Sequence, residues 1–230
     1  MKKRSYLVAL LLSLFTGFLG FDRFYLGKIG TGCLKLLLTF IFGVGLIWWI
    51  IDIFYLLYDK QTDINGDKLE GSDKVDPTML AMLSIWGLNR FYLRQTGLGI
   101  AKWGLIFGGI IIMIIGVSTK TNAVAIIGFL IIISFYLWNI VDIYLLLTNK
   151  IKDGVGRPIE ADTKRYQTAA LLFGITFGFW GFDRFYLGHR SIGMLKLFTF
   201  GMCGMWVALD LILIILNALR DENNNVLIQD

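Results

Sequence analysis

The sequence predicts an all-α integral membrane protein made of three tandem units. Each unit is a short helix, an Asp/Asn-Arg-Phe-Tyr loop, and a helical hairpin or kinked helix. Three observations lead there. The chain is 56% hydrophobic and only 17% charged, whereas a soluble domain is nearer half apolar and a quarter charged. Its apolar residues come in runs such as "LLLTFIFGVGLIWWIIDIFYLL" and "AVAIIGFLIIISFYLWNIVDIYLLL", and runs of about 18 or more mark membrane spans. Finally, one charged phrase is written three times, as "GFDRFYLGKIGTGCLKL", "LNRFYLRQTGLGIAKW" and "GFDRFYLGHRSIGMLKL".

The three copies are anchored on Arg23, Arg90 and Arg184, each followed by Phe-Tyr-Leu. A glycine stands nine residues on (Gly32, Gly99, Gly193) and a lysine twelve residues on (Lys35, Lys102, Lys196). Trp-x-x-x-Asp follows in each, ending at Asp52, Asp142 and Asp210. Eleven residues later come Asp63, Asp153 and Asp221, and three after those come Gly66, Gly156 and Asn224, types that tolerate a left-handed turn. Matched spacings over this distance define units at 1–77, 78–165 and 166–230.

The opening apolar segments are Tyr6 to Gly20, Thr78 to Leu88 and Thr168 to Trp180. At 1.5 Å per residue even the longest falls short of the ~30 Å hydrocarbon core. The expectation is that each helix continues into the Asp-Arg-Phe-Tyr phrase, placing the aromatics at the interface and the charges among headgroups. Asp76-Pro77 supplies an N-cap and a first-turn proline for the second unit.

From lysine to aspartate the separation is 17, 40 and 14 residues, and each midpoint falls on or beside a breaker, "GVG", "STKTNA" or "GMCG". Hairpins folded there bring each lysine level with its aspartate. The second unit has arms long enough to span, Gly97–Val117 and Ala123–Leu147, while the shorter arms of the others suit re-entrant hairpins. The rival, one glycine-weakened continuous helix, fits the first and third units but not the polar "STKTN" of the second. With hairpins returning to their own side, successive units alternate in orientation, "MKKR" lying inside. The first linker holds six acids against three bases and the second five bases against three acids, which agrees with alternation. "MKKR" and the run after it lack a signal-peptide cleavage site, so Met1 onward is read as mature chain.

The phrase resembles the pattern of the TM-two domain family: Gly-x-[Asp/His]-Arg-Phe-Tyr-Leu-Gly, spaced glycines, then Trp-x-x-x-Asp. Three tandem copies are read. The second departs from the pattern, with Asn89 for the aspartate and Arg94 for the glycine after Leu93. The resemblance implies a membrane-embedded, non-enzymatic protein, expected here in a bacterial inner membrane.

Little catalytic chemistry is visible. The chain carries +5 at neutral pH, but its bases hug the ends of apolar segments and read as anchors to anionic headgroups, not as a nucleic-acid surface. Cys33 and Cys203 lie in apolar stretches and read as small buried hydrophobes. The only histidine, His189, sits beside Arg190 and reads as an interfacial loop residue. "DINGDKLE" fails as a calcium loop at its first ligand, and no metal or cofactor set appears. The candidate residues are therefore the motif pairs Asp22 and Arg23, Asn89 and Arg90, Asp183 and Arg184, with the charges Lys35, Asp52, Lys102, Asp142, Lys196 and Asp210 in the apolar zone. Ionisable groups there cost about 2.5–3.5 kcal/mol to insert, so they pair or line a cavity. Lys–Asp clasps are the structural reading, and an ion or proton path is the functional alternative. The Asp-Arg pairs, adjacent on a helix, need partners elsewhere, with a neighbouring unit as the candidate. The expected function is non-catalytic binding or scaffolding of membrane proteins, peptides or lipids, with an accessory or immunity role; a small channel or transporter is the other hypothesis.

Overall fold

The leucine-rich stretch after Ser5 forms α1 (Tyr6–Thr16), which ends in a 3-10 turn at Gly17–Leu19. The computed structural model describes residues 4–148, 150–160 and 164–229. Among them there is no β-strand, only isolated bridges. After α1 the chain does not run on as one helix. Gly20 takes a left-handed φ of 80°, and the phrase forms its own short helix, α2 (Phe21–Tyr25). The expectation of a helix continuing into the phrase is overturned for a steric reason. A side chain on Gly20 would meet the carbonyl oxygen of Gly32 at 2.7 Å, so the bend lets two backbones touch. Gly181 repeats the bend at φ 76° against Gly193.

The next helices, α3 (Ile29–Phe42) and α4 (Gly45–Leu57), fold back on each other at Gly43, which has φ 67°. The second segment has α5 (Pro77–Ile85), α6 (Asn89–Tyr92), α7 (Thr96–Ser118) and α8 (Asn122–Leu147). In it, the Asp76 carboxylate accepts from the Thr78 amide at 2.9 Å and starts α5. The third segment has α9 (Gln167–Phe177), α10 (Phe182–Tyr186), α11 (Arg190–Phe198), the distorted turn α12 (Phe200–Cys203) and α13 (Met205–Ile215). All three lysine-to-aspartate stretches are hairpins, and the continuous-helix alternative falls. The arms α7 and α8, with 23 and 26 residues, measure about 34 and 39 Å, while the 14 and 13 residues of α3 and α4 measure about 21 and 20 Å. Among the described residues, only α7 and α8 are helices long and apolar enough to cross a membrane.

The chain makes two compact bodies. Body one joins Met1–Thr78 to Ala161–Asp230, and body two is Met79–Glu160. In body one α1 packs on α9, with the Phe15 and Phe177 rings 5.8 Å apart. The tails close their own segments. The Tyr6 amide donates to the Glu70 carbonyl and the Gln167 amide to that of Ile228, each at 2.9 Å. Lys164 pairs with Glu70, and Arg165 lies 3.7 Å from Asp76 and 5.0 Å from the centre of the Tyr186 ring.

These contacts run against the alternating orientation. The start of α1 bonds to the end of α2 (Ser5 amide to Tyr25 hydroxyl, 2.9 Å) and to the end of α4 (Tyr6 hydroxyl to Leu56 carbonyl, 3.0 Å). The third segment repeats this, with the Tyr166 amide 2.9 Å from the Tyr186 hydroxyl and Gln167 Nε2 2.7 Å from the Ile214 carbonyl. In each of these two segments the start of the first helix therefore meets the end of the hairpin. Residues 1–3 and Thr163, to which the sidedness expectation also referred, lie outside the described residues.

Candidate functional site

Three buried charge clusters form the site, each assembled within its own segment. In the first, the Asp52 carboxylate on α4 is the hub. Arg23 Nε donates to it at 3.0 Å, with Nη2 bonding its other oxygen; Lys35 Nζ donates at 2.8 Å and Gln61 Nε2 at 3.3 Å. Lys35 also donates to both Asp22 oxygens, at 3.3 and 3.1 Å. In the third, Asp210 accepts from Arg184 Nε at 2.8 Å, from Arg184 Nη2, and from Lys196 at 2.8 Å, while Lys196 reaches Asp183 at 2.6 Å. In the second, Asp142 accepts from Arg90 Nε at 3.2 Å, from Arg90 Nη2, and from Lys102 at 2.7 Å. Asn89 there donates to Asp142 at 2.7 Å and accepts from Lys102 at 2.9 Å, so the amide joins the network in two directions.

The structure brings each lysine to its aspartate, as the clasp reading expects, and differs from the sequence reading in where the Asp-Arg pairs go. The Asp-Arg pairs find partners inside their own segments and need no neighbouring unit. Nor are their acids exposed: Asp22 and Asp183 are buried, and Lys35, Lys102 and Lys196 are 0% exposed. Desolvated charges are tolerated only when paired and hydrogen-bonded. The hairpin turn sets each lysine opposite its aspartate, and the bend at Gly20 or Gly181 turns the phrase inward to meet both.

The repeated glycine has a packing role. A Cβ on Gly32 would stand 2.6 Å from the Phe24 ring, on Gly99 2.8 Å from Phe91, and on Gly193 2.7 Å from Phe185. The phenylalanine of the phrase therefore lies flat on the glycine and holds the arginine beside it in place. Trp48 adds a face for Arg23, 5.5 Å from the ring centre.

Sequence reasoning missed the position five residues after each arginine. Lys28 donates to Gln61 at 3.5 Å, Gln95 donates to the Lys152 carbonyl at 2.9 Å, and His189 Nε2 lies 2.9 Å from the Arg220 carbonyl. All three tie the phrase to the segment's tail. The residue type differs each time, so matching by identity does not find it; polarity at a fixed offset does.

The tails carry a shared turn. The Asp63 carboxylate accepts the amides of Asn65 and Asp67, Asp153 those of Val155 and Arg157, and Asp221 those of Asn223 and Asn225. Gly66, Gly156 and Asn224 take φ of 83°, 81° and 64°. The Asp67 amide, helped by Asn65, holds the Asp63 carboxyl below the usual carboxylate range.

Cys33 is exposed on α3, not a buried hydrophobe; in lipid an outward thiol meets acyl chains, so an apolar sequence context does not distinguish the two. The Cys203 side chain lies outside the described residues. No group of three or more metal-ligating side chains occurs among the described residues.

The TM2 domain model matches residues 2–54 and 163–212. These hold the first and third phrases, and the second lies outside the match. The chain is 43% identical over 61 residues to "TM2 domain-containing protein almondex" of Drosophila melanogaster, covering 26% of this chain and 22% of that one. It is 39% identical over 69 residues to "TM2 domain-containing protein 2" of Xenopus laevis, covering 30% and 35%. It is 49% identical over 47 residues to "TM2 domain-containing protein 3" of Homo sapiens, covering 20% and 19%. The matches span about a fifth to a third of these relatives' length. The relatives are animal proteins, which lends no support to a bacterial inner membrane. No solved structure matches the chain.

Proposed function

We propose that this chain, whose residues 2–54 and 163–212 match the TM2 domain model, is a TM2-domain protein, non-catalytic and polytopic in the membrane, that binds or scaffolds membrane proteins, peptides or lipids. It is built from three units of the TM2 kind, the second with a lengthened hairpin. The recurrence of the charge cluster and of the tail turn in all three segments supports that count.

One observation carries the functional reading. The lysines at hairpin depth are fully buried, and each donates to carboxylate or amide oxygens of its own cluster. A conduction path needs groups that exchange partners, and these are committed to one another. Meanwhile the outward surface is apolar: Ile111, Ile114, Phe129 and Leu130 on the α7–α8 hairpin are each more than half exposed, a surface for acyl chains or for another helix. The backbone contacts of the tails with the starts of α1 and α9 support a single face for the tails of body one. The hairpin tips of that body, around Gly43 and Gly204, carry no lysine or arginine, so the positive-inside bias makes the tail face cytoplasmic.

Proteoliposome flux tests the reading. Purified protein is expected to leave proton, potassium and chloride gradients as slow to decay as empty vesicles do. A flux abolished by Asp142→Asn would replace scaffolding with transport.

A further inference from the structure

Body two holds seven lysines and arginines against three acids, so it carries +4 of the chain's +5. Two of those acids are already engaged. Asp142 is the hub of the Arg90–Lys102 cluster, and Asp153 accepts the amides of its turn and pairs with Arg157 at 3.2 Å. The cluster itself is unbalanced. With Asn89 in place of an aspartate, Arg90 and Lys102 face a single carboxylate, whereas the clusters at Asp52 and Asp210 each set two acids against two bases.

At the end of α8 lies a notch of about 460 Å³, a volume in the range of small-ligand sites. One wall is apolar, from Leu146, Ile151 and Ile159; the polar lining is Lys152, Arg157 and Asp153, the last two paired with each other. The Lys152 side chain is exposed, while its carbonyl is pinned by Gln95. Lys150, two residues earlier in the chain, is exposed too. Because α8 is long enough to span the bilayer, a notch opening directly after its last turn sits at headgroup depth.

We infer that this notch binds the phosphodiester headgroup of an anionic phospholipid. Lys152 meets the phosphate, Lys150 two residues earlier in the chain adds to the local positive charge, and the upper acyl segment lies along Leu146, Ile151 and Ile159. The apolar wall selects the lipid over free phosphate, for which it offers nothing. The inference rests on the reading of the protein as a membrane-embedded binding protein and names one of its ligands.

Full-length protein in nanodiscs of phosphatidylcholine, doped with phosphatidylglycerol, tests this by native mass spectrometry of retained lipid. Phosphatidylglycerol is expected to be retained in preference to phosphatidylcholine. Each lysine near an anionic surface contributes about 1 kcal/mol, roughly fivefold. Lys152→Gln should therefore weaken retention about fivefold, and Lys150→Gln with Lys152→Gln by about 25-fold, with the helical circular dichroism unchanged. Lys68→Gln, on the tail of body one and 81% exposed, should change nothing. Equal retention of both lipids overturns the proposal, as does an equal loss in Lys68→Gln, which would mark bulk charge. Displacement by millimolar inorganic phosphate would identify a small-anion site and overturn the lipid assignment. Ion flux through wild-type vesicles would sink the scaffolding reading while leaving lipid retention intact, so the two failures are distinguishable.

Discussion

Lys102 and Asp142 are 40 residues apart in the chain, yet the ammonium donates to the carboxylate at 2.7 Å. The equivalent pair in the first segment closes across 17 residues at 2.8 Å, and that in the third across 14 at 2.8 Å. Hairpin length varies and the pairing does not, so the pairing is what the hairpin is arranged to make.

Within each cluster the two acid positions differ in weight. Asp52 receives Arg23, Lys35 and Gln61, while Asp22 receives Lys35 alone among side chains. Asp52→Asn leaves Arg23 without its carboxylate and Lys35 with Asp22 as its remaining acid, and should cost about 3–5 kcal/mol. Asp22→Asn reproduces the natural arrangement at Asn89 and should cost about 1–3 kcal/mol. Denaturation in detergent ranks them; an equal cost would contradict the hub assignment.

Gly32→Ala should push the Phe24 ring off its seat and cost about 1–3 kcal/mol. Gly30→Ala, two residues earlier on the same helix and with nothing within 4 Å of the new methyl, should be neutral or gain up to about 1 kcal/mol. Melting temperatures of the two variants check this. Equal melting temperatures would mean the repeated glycine is not a ring seat.

Sidedness follows from the tail contacts of body one. Asp73→Cys and Lys164→Cys, both at exposed positions, on a background lacking Cys33 and Cys203, should react identically with an impermeant thiol reagent in intact cells. Both should stay unlabelled until the membrane is permeabilised. Labelling of one site alone would restore the alternating arrangement.

The Asp63 turn should be sensitive to acid. Its carboxyl lies below the usual value of 3.8 because the Asp67 amide, with Asn65, holds the charged form. Its contribution is therefore complete above that value and lost as pH falls through the lower folded one. An NMR titration should place the Asp63 midpoint below 3.8. A midpoint at or above it would show the amides are not holding the charge.

The hairpins were legible because lysine, breaker and aspartate keep a symmetric spacing whatever the arm length. The tail turn was legible because its left-handed positions call for glycine or asparagine. The bend at Gly20 was not. A short apolar segment was extended to membrane-spanning length on the assumption that it must cross, and nothing local marks that Gly20 touches the Gly32 carbonyl. Nor does sequence say which acid meets which base. Asp22 with Lys35, and Arg23 with Asp52, follow only from how α2 lies across the hairpin. The return of Tyr6 to Glu70 is likewise a long-range backbone pairing with no side-chain signature.

The central claim, that the buried charges clasp the fold and depend on each other, is tested most directly by a double-mutant cycle on Lys35 and Asp22 read by equilibrium unfolding in detergent. Lys35→Met leaves Asp22 buried without its partner and should cost about 3–5 kcal/mol. Adding Asp22→Asn leaves Arg23 with Asp52 as a neutral pair and should recover most of that loss. Additivity of the two substitutions within about 0.5 kcal/mol would contradict the account.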